Sequence, residues 1–253
     1  MATKTVLVIG GTGAQGVPIV QELDQHGYHV RVLTRDPESE HSQRLRNVAP
    51  NVQYVTGTPT DVDALRSAFA GVDYAFVNLN SFALGIKNEI YWGIRTFEIA
   101  VQSGVKHYIW SSLDNYALET KYDDDLRCGH YYGKGHHPKK SDSGVYDFRL
   151  PIDDGIIPYW TQETGLSEED MEHKIGTSTA PGDPSLLTFR QNFSAWWRIY
   201  QNCGTKLELC KRDYKLLDEI YPGRIRSLKQ WMEKVGYDGD GTRTFEAGIP
   251  WGM

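Results

Sequence analysis

The fold of this chain is decided by the stretch Thr5-Val6-Leu7-Val8-Ile9-Gly10-Gly11-Thr12-Gly13-Ala14-Gln15-Gly16. Its first five residues are mostly apolar and β-branched, which predicts a short buried strand. Glycines follow at the spacing G-x-x-G-x-x-G, and the residues after them favour a helix. A strand, a glycine-rich turn and a helix in this order are typical of a site that holds the pyrophosphate of a dinucleotide.

Each glycine has an expected purpose in such a turn. Gly10 allows a tight bend of the backbone. Gly11 and Gly13 leave out the Cβ atoms that would keep a pyrophosphate away from the backbone N–H groups, and Gly16 lets the helix pack close to the strand. The free N–H groups and the positive end of the helix dipole then face the ligand. The residues predicted to bind the cofactor here are Gly10, Gly11, Thr12, Gly13, Ala14, Gln15 and Gly16.

Composition places the chain among soluble globular proteins. Of its 253 residues, 40% are hydrophobic and 24% are charged. The sequence has no apolar stretch as long as a membrane span and no signal-peptide pattern. Three cysteines, an odd number without close spacing, predict reduced thiols and a cytoplasmic or nuclear setting. The net charge of −6 argues against direct binding to nucleic acid.

Beyond the first turn, predicted strands alternate with predicted helices. Helices are expected over residues 15–26, 61–70 and 88–102, and strands over residues 5–9, 30–33, 52–55, 74–77 and 107–110. At the start of the second helix, Thr60 and Asp63 have the spacing of a variant capping box. The alternation predicts an α/β fold, a Rossmann-type doubly wound parallel sheet with right-handed crossovers.

Two further positions bear on the cofactor. Arg35 follows the second strand, where an acidic side chain suits the ribose hydroxyls of NAD and an arginine suits the 2′-phosphate of NADP. Because Arg31 also lies nearby, we expect NADP(H) rather than NAD(H). Asn80 follows the fourth strand, where the loops of an open parallel sheet meet the cofactor, and it is predicted to bind it.

The segment from Val6 to Gly135 resembles the NmrA-like proteins, an atypical branch of the short-chain dehydrogenase/reductase fold. The resemblance rests on the runs VIGGTGAQG at 8–16, LTRD at 33–36, GVKH at 104–107, WSSLDN at 110–115 and HYYGKG at 130–135. It implies NADP(H) binding and two modes of use. Some members are redox-sensing regulators, including a fungal co-repressor that binds a GATA-type transcription factor. Others are NADPH-dependent reductases of secondary metabolism or of quinones.

The last of these runs resembles the element that brings a lysine, here Lys134, to the nicotinamide ribose. In an ordinary reductase of this fold a tyrosine stands four residues before that lysine, so that one helical face presents both. Here that residue is His130, whose pKa and reach differ from those of tyrosine. Ser111 or Ser112 could polarise a substrate carbonyl, or both hydroxyls only finish the strand. The predicted catalytic residues are Lys134, His130 and Ser112, and no metal site is predicted.

After Lys134 the chain departs from the family pattern. Residues 136–144 are poor helix material, and residues 145–158 resemble a later portion of the pattern. One interpretation is an internal shortening near residues 136–143, which would remove part of the sheet edge and the lid of the substrate pocket. In the other interpretation, residues 148–151 form the sheet strand itself.

The C-terminal third is predicted to be mainly helical. Apolar residues recur at spacings of three and four between Pro184 and Asn202, and again from Ile225 to the stop at Gly236. These faces either pack against the first domain or offer a tryptophan-rich surface to a partner. We predict an NAD(P)-binding Rossmann domain at residues 1–135 and a small, shortened, mainly helical portion at residues 136–253.

Two functions are compatible with these features. The first is a redox-sensing regulatory binder of NADP(H) with weak or no dehydrogenase activity, whose partner is a transcription factor or another regulatory protein. The second is an NADPH-dependent oxidoreductase that acts on a small carbonyl or a quinone. The missing tyrosine and the shortened pocket region favour the regulator, but a quinone can accept hydride without that acid. The oligomeric state stays open.

Overall fold

The glycine-rich turn leaves the central strand of a five-stranded parallel sheet. The computed structural model of the chain describes residues 3–135, 169, 172–202 and 214–236. The strands are β1 (Thr5–Ile9), β2 (His29–Thr34), β3 (Gln53–Thr56), β4 (Tyr74–Val77) and β5 (His107–Trp110). They lie in the order β3-β2-β1-β4-β5. This parallel order confirms the predicted Rossmann-type sheet.

The sheet grows in two directions from β1. The chain first adds β2 and β3 on one side, and it then returns to place β4 and β5 on the other. Leu7 of β1 is in register with Arg31 of β2 and with Ala75 of β4. The loops that leave the carboxyl ends of β1 and β4 therefore diverge, and the crevice between them is where doubly wound sheets bind their ligands.

Helices cover the sheet and continue beyond it within the described residues. They are α1 (Gly16–Gln25), α2 (Glu40–Val48), α3 (Val62–Phe69), α4 (Ser81–Gln102), α5 (Tyr116–Glu119), α6 (Gly129–Gly135), α7 (Phe189–Asn202), α8 (Tyr214–Ile220) and α9 (Leu228–Val235). The three helices predicted between the strands are confirmed. The short helix α2 was not predicted, because it is mostly polar and buries only Ser42 and Leu45. The helix α8 was not predicted either.

Apolar side chains pack on both faces of the sheet, because successive residues of a strand point to opposite faces. Leu7 lies in one cluster with Phe69 of α3 and Ile99 of α4. Val8 lies in the other, with Val20 of α1. Burial of β1 on both faces explains why its sequence is an unbroken apolar run rather than an alternating one.

Two helix starts differ from the prediction. The helix α3 begins after Asp61, whose carboxylate accepts hydrogen bonds of 2.8 and 3.1 Å from backbone N–H groups of the first turn, so the cap is not the box starting at Thr60. The helix α4 begins at Ser81 rather than at residue 88 because Asn80 caps it. Gly85 interrupts this helix with a φ of 71°, which breaks the periodicity of its first turns.

The helix α7 packs against the end of the sheet domain. Its Ala195 and Ile199 are buried in a cluster with Tyr116 and Tyr131. Other aromatic side chains of α7 stack on Phe82 of α4. The contacts favour the packing interpretation for this face of α7 over a free partner surface.

Some predictions concern other parts of the chain. The shortening near residues 136–143 and the alternative strand at residues 148–151 lie outside the described residues, and the domain boundary at residue 135 stays a prediction. The helix α9 ends at Gly236, as the sequence predicted, and Gly236 adopts the left-handed conformation with a φ of 67°. Within the described ranges, no helix combines the length and the apolar character that crossing a bilayer requires.

Candidate functional site

The glycine-rich turn closes tightly at its two ends. Gly10 has a φ of 81°, and a Cβ atom there would lie 2.5 Å from the carbonyl oxygen of Asn78. A Cβ atom at Gly16 would overlap the carbonyl oxygen of Gly10. Both positions therefore exclude side chains, in agreement with the tight bend and the close helix packing that the sequence predicts.

The two inner glycines differ from each other. A Cβ atom at Gly11 would lie 2.8 Å from a methyl group of Val32, so this glycine makes room for the packing of β2. The prediction that Gly11 clears space for a pyrophosphate is therefore wrong in its reason. A Cβ atom at Gly13 meets only the carbonyl oxygen of Gly10, at 3.4 Å. Gly13 thus borders open space, together with the partly exposed Thr12, Ala14 and Gln15.

A chain of hydrogen bonds spans the crevice between β1 and β4. Gln15 Oε1 accepts hydrogen bonds from Asn78 Nδ2 at 3.0 Å and from Ser111 Oγ at 2.8 Å. Asn78 Oδ1 in turn accepts a hydrogen bond from Lys134 Nζ at 2.8 Å. Four segments that are far apart in sequence meet here, and the three bonds tie the glycine-rich turn to the helix α6.

Lys134 lies in this crevice with its ammonium group fully engaged. In addition to Asn78, its Nζ donates to the carbonyl oxygen of Leu79 at 2.9 Å and lies 3.2 Å from Glu89 Oε1. These three acceptors match the three N–H donors of an ammonium group. The Nζ atom also lies 5.5 Å from the ring centroid of Trp110. The lysine side chain is 12% exposed, so its charge is largely shielded from bulk water.

Glu89 is the counterion of Lys134, and this role was not predicted from the sequence. Its side chain is fully buried, and its Oε1 also accepts a hydrogen bond from Ser81 Oγ at 2.7 Å. Burial raises the pKa of this carboxyl group, against the opposing effects of Lys134 and Ser81. A signal did exist, because Glu89 lies on the same face of α4 as the buried Gly93 and Thr96.

The second carboxylate oxygen of Glu89 lies against helix α6. No described residue forms a hydrogen bond with Oε2. A Cβ atom at Gly133 would overlap this oxygen, so a glycine is needed for Glu89 to lie where it does. The residue immediately before the lysine thus makes room for the lysine's partner.

Two predicted catalytic residues lie in settings that limit their chemistry. Ser112 Oγ donates to the backbone carbonyl oxygen of Lys134 at 3.1 Å, whereas Ser111 joins the bonds that cross the crevice. The partly buried ring of His130 lies among aromatic side chains of α4 and α7 and contacts Asn192 Nδ2 at 3.1 Å. Burial there lowers the pKa of His130 to about 4, so the imidazole is neutral at pH 7.

The two remaining residues that were predicted to bind the cofactor are Arg35 and Asn80. Arg35 is exposed beyond the end of β2 and forms no hydrogen bond or ion pair with another described residue. Arg31 does not join it, because its guanidinium donates to the carbonyl oxygens of Ala68 and Ala70 at 2.8 Å each. The side-chain oxygen of Asn80 accepts bonds from the first turn of α4, so Asn78 and not Asn80 points into the crevice.

A cavity of about 180 Å³ adjoins the crevice on the side of α4 and α6. It is lined mainly by apolar atoms of α4, α6 and residues 175–187, and Ser81 and Asn192 also border it. Because Ser81 binds Glu89, this cavity lies next to the buried ion pair. Among the residues that the structure describes, no cluster of histidine, cysteine or acidic side chains could hold a metal ion.

Comparison with known proteins assigns the chain to a family. The NmrA-like family matches residues 2–134, more than half of the chain. The chain is 30% identical over 199 residues to the NmrA-like family domain-containing oxidoreductase lnaB of Aspergillus flavus, covering 74% of this chain and 56% of that protein. It is 33% identical over 112 residues to an NmrA-like family domain-containing protein of Dictyostelium discoideum, covering 44% of this chain and 36% of that protein. This chain thus spans about half or less of the length of these relatives.

Solved structures of similar proteins include crystal structures of Nmra, a negative transcriptional regulator, in complex with NAD and with NADP. Each is 28% identical to this chain and covers 47% of it, which corresponds to 36% of the other chain. Their TM-scores are 0.43 and 0.42. Since the family match extends over more than half of the sequence, this chain belongs to the NmrA-like family.

Proposed function

We propose that this protein binds NADP(H) across the crevice between β1 and β4 and reports its redox state to a regulatory partner. The observation that carries the proposal is the open space at Gly13, which a side chain would fill, next to a lysine held at the crevice. A pyrophosphate fits this arrangement, because the turn and the first residues of α1 offer backbone N–H groups and the positive end of the helix dipole.

In this proposal, different residues bind different parts of the cofactor. The turn from Gly10 to Gly16 holds the pyrophosphate, and Arg35 binds the 2′-phosphate. Lys134 binds the nicotinamide ribose by exchanging one of its present hydrogen bonds for one to a ribose hydroxyl. The exposed guanidinium of Arg35 is available for this contact because it has no partner among the described residues. The bound nicotinamide supplies the hydride chemistry, and the protein supplies position and charge.

The regulatory role is favoured because three candidate proton donors near Lys134 lie in settings that do not suit an acid. His130 is neutral at pH 7 and lies among aromatic rings. Tyr131 stacks on Tyr116 with the ring centroids 4.3 Å apart and is buried. Ser112 binds a backbone carbonyl oxygen. Hydride transfer to a carbonyl needs a proton donor for the alkoxide, so slow or no turnover is expected. The partner would be a transcription factor or another regulatory protein.

The second candidate is an NADPH-dependent oxidoreductase that acts on a small carbonyl or a quinone. The relative from Aspergillus flavus is named an oxidoreductase, and the apolar cavity beside Ser81 could admit a small ligand. The experiment that separates the two candidates measures NADPH oxidation against a panel of quinones and aldehydes, together with NADPH affinity by calorimetry. Tight binding without turnover supports the regulator, and turnover of a quinone supports the reductase.

A further inference from the structure

The buried pair of Glu89 and Lys134 has a consequence for which redox form of the cofactor is bound. We propose that Glu89 is a positioning residue that balances the charge of Lys134, so that the crevice can accept the oxidised, positively charged nicotinamide. This inference rests on the proposed function, because it takes Lys134 to lie at the nicotinamide ribose.

The ammonium group of Lys134 is surrounded by one charged group and two neutral groups. The other two atoms that accept its hydrogen bonds, Asn78 Oδ1 and the carbonyl oxygen of Leu79, belong to neutral groups. Among the described residues, Glu89 supplies the one carboxylate within ion-pair distance of Lys134 Nζ, at 3.2 Å. Without Glu89, a full positive charge would stay in a crevice that is largely shielded from water.

An unbalanced ammonium group would act differently on the two redox forms. The nicotinamide ring of NADP⁺ carries a positive charge, and the ring of NADPH is neutral. Repulsion between like charges is stronger at a protein site than in water, because the effective dielectric constant falls. An unbalanced Lys134 would therefore weaken the binding of NADP⁺ and leave that of NADPH much less affected, whereas the neutral pair tolerates both forms.

Neighbouring residues fix the position of the Glu89 carboxylate beside Lys134. Ser81 donates to the same oxygen that faces Lys134, and Gly133 leaves room for the other oxygen against α6. Removing the charge while keeping the shape is therefore possible with Glu89→Gln. A structural defect would weaken both cofactor forms together, whereas a loss of charge balance changes the ratio of their affinities.

The test compares the dissociation constants of NADP⁺ and NADPH by calorimetry at pH 8, in the full chain. Glu89→Gln is expected to raise the ratio of the NADP⁺ constant to the NADPH constant by about tenfold. The double variant Glu89→Gln/Lys134→Gln, which removes both charges, should return this ratio to near the wild-type value. Ser81→Ala perturbs the same carboxylate without removing its charge and should leave the ratio unchanged. Thr96→Val, at a buried position on the same helix, controls for general damage to α4.

Two results would overturn the inference. One is an equal weakening of both forms in Glu89→Gln, and the other is a double variant that keeps the altered ratio of the single variant. Should Glu89→Gln not fold, Lys134→Gln and the double variant replace it: Lys134→Gln must favour NADP⁺ relative to the double variant, and equal ratios reject the proposal. Failure of the wild-type protein to bind either form is a separate result, because it removes the proposed function itself.

Discussion

Lys134 donates a hydrogen bond to the side-chain oxygen of Asn78 over 2.8 Å, and this bond joins helix α6 to the end of strand β4. The amide group of the same asparagine donates to Gln15 in the glycine-rich turn. The lysine at the proposed nicotinamide end and the turn at the proposed pyrophosphate end are therefore parts of one bonded unit. A substitution at either end is therefore expected to affect the hydrogen bonds at the other end.

The proposed pyrophosphate site is tested by Gly13→Val. The valine side chain would extend into the open space at this position, so dinucleotide binding should be lost while the melting temperature stays near the wild-type value. The matched variant Gly11→Ala should behave in the opposite way, because its new methyl group presses on Val32 and overpacking costs about 1–3 kcal/mol. Calorimetric titration and thermal unfolding of both proteins provide the measurement. Unchanged affinity in Gly13→Val would contradict the proposed site.

Lys134→Ala separates the two halves of the cofactor. Loss of the ammonium group should weaken the binding of the complete dinucleotide. An adenosine fragment that carries the 2′-phosphate should bind to the variant as tightly as to the wild type. The reason is that Lys134 is assigned to the nicotinamide ribose alone. Parallel titrations with both ligands give the answer. An equal loss for the two ligands would place Lys134 elsewhere or indicate a general structural defect.

The proposed preference for NADP(H) over NAD(H) depends on Arg35. A charge-assisted hydrogen bond contributes roughly 1.5–3 kcal/mol, so NADP(H) should bind at least about tenfold more tightly than NAD(H). Arg35→Ala should remove most of this difference by lowering the affinity for NADP(H). In the wild type, the difference in affinity should also decrease as the salt concentration rises. Arg31→Ala is the control, because Arg31 binds carbonyl oxygens near the end of α3 and its loss should lower stability without changing the preference. Equal affinity of the wild type for both cofactors would remove the NADP assignment.

Asn80 and Asn78 have different expected effects. Asn80→Ala removes the cap of α4 and should cost about 1 kcal/mol of stability, with little change in cofactor affinity. Asn78→Ala removes the hydrogen bonds that connect Gln15 to Lys134 and should lower the affinity for the complete cofactor. Urea unfolding and calorimetry of the two variants distinguish these outcomes. A strong loss of affinity in Asn80→Ala would restore the sequence-based assignment of this residue to the cofactor site.

Stability should fall in mild acid because of His130. Its pKa is lowered to about 4 by burial, below the ordinary value of 6.5, so the unfolded chain takes up a proton that the folded protein does not. The stabilisation present above pH 6.5 is lost as the pH falls towards 4, by up to about 3 kcal/mol. His130→Phe should flatten this part of the curve of unfolding free energy against pH. The exposed substitution His29→Asn should leave it as in the wild type, and the same slope in His130→Phe would exclude His130 as the cause.

Local sequence patterns predicted the parts of this protein that depend on neighbours along the chain. The apolar run from Thr5 to Ile9, the glycine spacing and the alternation of strands and helices determined the sheet, because a buried parallel strand and an amphipathic helix each leave a periodic signature. The left-handed conformation of Gly10 and of Gly236 could be predicted in the same way, since each ends an element of recognisable type.

Only the tertiary structure decided which side chains meet in the crevice. Asn78 and Asn80 are the same residue type and are separated only by Leu79. Asn78 nevertheless binds Gln15 and Lys134, whereas Asn80 caps α4. Periodicity says that Glu89 lies on a buried face, but not that Lys134 on another helix is its partner. Likewise Gly11 and Gly13 look alike until packing against Val32 separates them. The physical reason is that hydrogen bonds, ion pairs and burial depend on atoms that distant segments bring together, and a local pattern does not contain those atoms.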